Sequence, residues 1–255
     1  YASDWIPSDS LTIWDVYVPK IRCLQYGEPE TDPLYVSIAP IDSFTLGQGF
    51  IVSDYNNTNF LPRQAITGLR IGIDGAGFRF PYFGLEAMAG NLARFDILAA
   101  RVYLRPLAFL ASSALKSAEI GATLALDRNP LGWLGADAAS SLSQKFATDK
   151  PFMFYGADVS VPIVNSSPFV VSVSGDWAKE PSGAQGISFG LETKTLRFVN
   201  FGAQIRYLQN GFIPSYFDSG YDFYRSNRFA YMTSSEPGRF SSAWASHLGF
   251  AFAED

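Results

Sequence analysis

Between Phe152 and Leu208 the chain alternates apolar and polar residues through four consecutive stretches, and this pattern restricts the fold more than any other feature. One set of positions reads Met153, Tyr155, Ala157, Val159 and Val161, then Phe169, Val171, Val173 and Trp177, then Ile187, Phe189 and Leu191, then Val199, Phe201, Ala203, Ile205 and Tyr207. The set between them holds Asp158, Ser160, Ser172, Ser174, Asp176, Ser188, Glu192, Lys194, Asn200, Gln204 and Arg206. Side chains alternate across a strand, so period two marks a sheet with one apolar and one polar face. Each stretch has about the 9–11 residues that a tilted strand needs to cross a bilayer.

The same alternation starts at Thr67. Leu69, Ile71 and Ile73 oppose Arg70 and Asp74, Phe83 and Leu85 oppose Glu86, Leu98, Val102 and Leu104 oppose Arg101, Tyr103 and Arg105, and Ile120, Leu124 and Leu126 oppose Glu119 and Asp127. Two earlier strands are expected at Thr12 to Val18 and Leu34 to Pro40, and two later ones at Asn227 to Thr233 and Ser241 to Phe252. The total is about twelve. Ile41 to Arg63, rich in Asn, Asp and Gly, reads as a loop or plug. The chain is expected to be one unit over residues 1–255, irregular over 1–66 and regular over 67–252. Links are expected to be short on one side (Val161 to Phe169, Leu196 to Phe198) and longer on the other (Asp127 to Phe152, Lys179 to Gly186, Gln209 to Asn227), with Asn91 to Phe95 a short exception.

Composition narrows the classes. The 255 residues are 47% apolar but only 17% charged, and no run approaches the ~18–20 apolar residues of a membrane helix. A formal charge of −5 argues against a nucleic-acid partner. The one cysteine, Cys23, permits neither an internal disulfide framework nor a cysteine metal cluster, and no metal or other cofactor is expected. The chain begins at Tyr1 with no basic or apolar leader region, so any secretory signal is expected to have been removed or to lie outside this sequence, and export is not read from it directly.

The faces differ in what they tolerate. Arg70, Asp74, Glu86, Arg101, Arg105, Glu119, Asp127, Asp158, Asp176, Glu192, Lys194 and Arg206 all fall on the polar side. A basic residue turned to lipid costs roughly 2–4 kcal/mol at the midplane, so a one-residue slip of every strand would cost on the order of tens of kcal/mol. A soluble β-sandwich or lipocalin-like barrel would show the same alternation with the apolar face as its core. The glycines and mixed charges of the polar face suit a crowded or water-filled lumen instead.

The segments RIGIDGAGFRFPYFGLEAMAG, ARVYLRPL, EIGATLALDRNP, YGADVSVPI, FGAQIRYL and NGFIPSYFDSGYDFYR resemble those of porin-like outer-membrane β-barrels of diderm bacteria, over roughly residues 67–232. The resemblance implies an all-β, antiparallel transmembrane barrel of about twelve strands in the bacterial outer membrane, acting as a passive channel for small solutes. The implied partners are outer-membrane lipid and small solutes, with other envelope proteins or a second copy of the chain beyond them. Such barrels usually finish on a terminal aromatic, whereas this chain finishes Phe252-Ala253-Glu254-Asp255, and it is expected to be part of a longer barrel.

Catalytic signatures are absent. His247 is the only histidine, and its neighbour Ser246 points to the opposite face of a strand, so no catalytic residue is assigned and no enzyme is expected. Gly72 to Gly77 lacks the order of a phosphate loop. The lumen-lining candidates are Arg70, Asp74, Glu86, Arg101, Arg105, Glu119, Asp158, Asp176, Glu192, Lys194 and Arg206. They allow two arrangements: a basic ladder of Arg70, Arg101 and Arg105 facing an acidic one of Asp158, Asp176 and Glu192 across an open pore, or mutual pairing that plugs the lumen. Phe212, Tyr216, Phe217, Tyr221 and Tyr224 form an aromatic loop that packs on the rim, folds into the lumen, meets a partner or grips a sugar or lipid by stacking. Alternatives to a passive channel are a closed-lumen scaffold of an envelope complex and a FadL-like conduit for hydrophobic substrates.

Overall fold

The computed structural model describes residues 5–7, 12–29, 31–61, 64–112, 114–131, 152–166, 169–195, 199–233 and 243–252. The alternating stretches form one antiparallel sheet of eleven strands, ordered in space as in sequence. These are β1 Leu24–Tyr26, β2 Leu34–Ala39, β3 Gly68–Asp74, β4 Phe83–Ala89, β5 Ile97–Leu104, β6 Glu119–Asp127, β7 Phe152–Ser166, β8 Phe169–Lys179, β9 Gln185–Thr195, β10 Val199–Leu208 and β11 Ala243–Phe252. No ladder joins β1 to β11 among the described residues, so the sheet is open there.

Two expected strands are helices. Thr12 to Val18 folds as helix α1, Ile13–Tyr17, because the Thr12 hydroxyl accepts from Asp15 N–H while the Asp15 carboxylate accepts from Thr12 N–H. This reciprocal cap satisfies free helix donors, and it outweighs an alternation only seven residues long. Asn227 to Thr233 is the end of helix α2, Tyr221–Thr233. The Asp218 side chain accepts from Gly220 N–H just ahead of α2, and Asp222 stands in its first turn, where the helix dipole favours an acid. Strand β1, which the sequence pattern does not announce, brings the number to eleven.

The links at one end of the sheet, the near end, are 40–67, 90–96, 128–151, 180–184 and 209–242. The expected long link after Lys179 is a five-residue hairpin, 180–184, because Pro181 and Gly183, the latter at φ +93°, supply a tight turn. Trp133 and the small-residue run from Gly135 to Ser143 lie outside the described residues.

The two faces are buried in the reverse of the order found in a water-soluble sheet. On β5, Arg101 and Tyr103 are 3% and 7% exposed, while their neighbours Val102 and Leu104 are 41% and 53% exposed. Strands β6 to β10 repeat this: Ile120, Leu124, Tyr155, Val159, Phe189 and Ile205 are exposed, whereas Thr123, Asp158, Ser174, Asp176 and Ser188 are buried. A soluble sheet covers its apolar face and wets its polar one; here the polar face is covered and the apolar face is open.

The cover is the chain itself. Residues 41–57 and 212–217, both reached from the near end, lie together through a parallel bridge between Val52 and Phe217, with Ser53 N–H donating to Phe217 C=O (3.0 Å) and Phe217 N–H to Ile51 C=O (3.1 Å). Asn57 fixes them to the sheet, accepting from Ile41 N–H and donating to Gly90 C=O, both at 2.7 Å. Ile41, Phe50, Val52, Tyr55, Phe212, Tyr216 and Phe217 form one core with Phe152, Phe154 and Ala178 of the sheet and Tyr221, Phe229 and Met232 of α2. Gly186 makes this approach possible: a Cβ there would overlap the stacked rings of Phe212 and Phe50.

Candidate functional site

Antiparallel neighbours that stand directly opposite share a face. Register therefore lines up Glu86, Arg101 and Thr123 in one row, and Tyr103, Gly121, Asp158, Asp176, Ser188 and Arg206 in the next. Arg101 is the centre of the covered face. Its Nε donates to Asp158 Oδ2 at 3.0 Å and its Nη2 to Asp158 Oδ1 at 2.5 Å, a bidentate pair between side chains that are nearly fully buried. Glu119 lies 3.5 Å and Glu86 3.8 Å from the same guanidinium. Arg105 bridges Glu119 (3.0 Å) and Asp74 (2.9 Å). Both guanidinium groups sit over the Tyr103 ring, at 4.9 and 5.0 Å, and Gly84 leaves that ring the room it occupies.

These contacts distinguish separated ladders from mutual pairing. Arg101 of the basic set and Asp158 of the acidic set form one ion pair. Arg70 instead donates to Tyr35 Oη (2.7 Å) and Ser43 C=O (3.3 Å), Asp176 accepts from Ser188 (2.6 Å), and Arg206 donates to Gln204 (2.6 and 3.0 Å). Glu192 stands opposite Ser172 and Gly202; Lys194 stands opposite Val170 and Asn200, its side chain being outside the described residues. The tip of the covering segment, Gly47 at φ +56°, rests against Arg101 and Asp158, so the ion pair is closed off from above. A small cleft remains beside it, lined by Gln48, Thr123, Asp158 and Asp176.

Of the aromatic loop candidates, Phe212, Tyr216, Phe217 and Tyr221 are buried on the covered face and Tyr224 is exposed. The first four thus pack onto the polar face of the sheet and not on a rim. No metal-binding group of three or more His, Cys, Asp or Glu is formed among the described residues, and the side chains of Ser246 and His247 lie outside them.

A second polar cluster, at the near end, escapes sequence reasoning. Arg225 of α2 is 1% exposed and binds Asp127, at the end of β6, through two nitrogens; its Nη1 lies 2.8 Å from Asp96, just before β5. Tyr221 Oη donates to the same Asp127 carboxylate at 2.7 Å, and Tyr55 Oη lies 3.3 and 3.4 Å from the two oxygens of Asp222. Burial, with Asp96 and Asp127 nearby, pushes the Asp222 carboxyl up to about 7 despite the counteracting charge of Arg225. Asp127 is on the expected polar face, but its partner sits in a segment read as loop and strand. The available signal was helical: Tyr221, Arg225 and Phe229 recur every four residues.

Comparison of the chain with protein-family models, with curated proteins and with solved structures finds no match.

Proposed function

We propose that the chain is a β-barrel of a bacterial outer membrane whose lumen is filled by its own segments 41–57 and 212–233, and that it serves in the envelope as a closed barrel, an anchor or scaffold for other components. The inversion of the sheet carries this reading: exposed Val102, Leu104, Ile120, Phe189 and Ile205 alternate with buried Arg101, Thr123, Ser188 and Asp158. Lipid is the solvent that favours such a face, and a closed ring of strands is the one sheet that leaves no unpaired edge within it. Because β1 and β11 run in the same direction, an antiparallel ring takes a further strand between them.

Closure of the lumen is supported by what fills it. Arg101, Arg105, Asp74, Glu119 and Asp158 are ion-paired at short range, and Gly47 of the plug covers the central pair. Passage of small solutes, the first expectation from the pattern, requires segments 41–57 and 212–217 to leave the covered face.

The deciding experiment reconstitutes the purified protein in planar bilayers and, in parallel, measures quenching of its tryptophans by brominated lipid. Quenching without conductance steps supports a closed barrel. Steps in the resting protein overturn closure and return the passive channel; absence of quenching overturns the membrane reading itself.

A further inference from the structure

The near-end cluster has an unequal charge count. Three buried carboxyl groups, Asp96 ahead of β5, Asp127 on β6 and Asp222 on α2, face one buried guanidinium, Arg225. Asp96 and Asp127 take that guanidinium between them. Among the described residues Asp222 makes no ion pair: it has the Tyr55 hydroxyl at 3.3–3.4 Å, a contact too long to stabilise a buried anion by itself, and the nearby charge of Arg225, which counteracts burial only in part because it is bound to the other two acids. The other groups near α2 do not compensate it, because Arg228 is committed to Asp218 (2.6 Å) and to Tyr216 C=O. An unpaired buried carboxylate destabilises whatever holds it, so Asp222 either keeps a proton or weakens the seat of its helix.

The position of Asp222 decides what that weakening reaches. It stands one turn before Arg225 on the face of α2 that packs on the sheet, and Tyr55 belongs to the plug segment 41–57. The lead-in to α2, Phe212 to Phe217, is in ring contact with Phe50, Phe152 and Phe154 of the same core. Helix and plug are therefore one unit held to the strand ends.

We propose that Asp222 is a proton-operated latch: with its carboxyl protonated, α2 and the plug stay seated, and with it ionised they are released from the strand ends. Its role as a gate of the lumen rests on the closed-barrel reading; the latch itself does not. Burial first, and its acidic neighbours after that, hold the carboxyl at about 7 in the seated state, so the seating supplied by the proton is lost as pH rises through about 7.

The test is amide hydrogen exchange of residues 221–233 in lipid nanodiscs at pH 5.5 and 8.5, corrected for the intrinsic pH dependence of exchange. Wild type is expected to lose protection by on the order of tenfold or more at the higher pH, and Asp222→Asn to hold it constant. Equal protection of the wild-type helix at both values overturns the latch, as does an unchanged loss in Asp222→Asn. If Asp222→Asn does not fold, Tyr55→Phe serves in its place: removing the hydroxyl that favours the carboxylate in the seated helix deepens the loss of protection at pH 8.5 relative to wild type, and an unchanged loss overturns the proposal. Lipid quenching is read on the same samples. A latch that works in a protein that fails to insert overturns the barrel and leaves the latch standing.

Discussion

Arg101 and Asp158 are 57 positions apart in sequence, yet the guanidinium of one meets both carboxylate oxygens of the other across β6, at 3.0 and 2.5 Å. Both side chains are at most 6% exposed. Removing one partner leaves an uncompensated buried charge, so Arg101→Ala is expected to destabilise the fold by about 3–5 kcal/mol. Replacing the pair together, Arg101→Met with Asp158→Leu, is expected to recover much of that loss. Urea unfolding in detergent measures both; equal stability of Arg101→Ala and wild type contradicts the assignment of this pair as the centre of the covered face.

The covered face also sets a size limit that differs from strand to strand. Gly186 lies under the stacked rings of Phe212 and Phe50, whereas a Cβ at Gly202 meets nothing closer than Glu192 Cγ at 4.0 Å. Gly186→Ala is therefore expected to cost about 1–3 kcal/mol through overpacking, and Gly202→Ala to be nearly neutral. Thermal unfolding of the two variants should separate them, and a similar response would show that the plug does not press on β9.

Phe189, in the middle of β9, is 61% exposed on the open face. If that face meets lipid, Phe189→Arg costs about 2–4 kcal/mol and lowers the yield of inserted protein, while Ser188→Ala, one residue away on the covered face, does not affect insertion. In water the arginine would be harmless. Flotation of refolded protein with liposomes reads the difference.

Stability should also depend on pH in a direction unusual for an aspartate. The carboxyl of Asp222 is raised in the folded chain from an ordinary 3.8 to about 7, so the folded state binds the proton more tightly than the unfolded one. Its contribution is complete below about pH 4 and is lost as pH rises through about 7. Glu180, pushed up by burial, acts in the same direction. Asp222→Asn is expected to flatten the slope of unfolding free energy between pH 4 and 8. A slope that survives this change would assign it to other groups.

Much of the sheet was legible in the chain because period two is a local signal with a physical cause. Strands β2 to β11 follow from it, since a register slip in an alternating stretch turns every side chain to the wrong face. The polar side of that register also located Arg101, Arg105, Glu119 and Asp158, although not who pairs with whom. Where the alternation was short, local chemistry won: seven residues from Thr12 lost to a capping box, and Asn227 to Thr233 lost to a helix that begins six residues earlier.

What the sequence by itself determined is the alternation, and with it the two faces and the neighbour-to-neighbour order of the strands. Only the tertiary structure decided which face is covered, because a period of two is the same whether water, lipid or protein lies on either side. It alone joined Arg225 to Asp127 and Asp96, 98 and 129 positions away, and brought residues 41–57 down onto Arg101. Such contacts depend on where long links return, and a flexible link can close over many geometries at nearly equal entropy, so no local pattern records its destination.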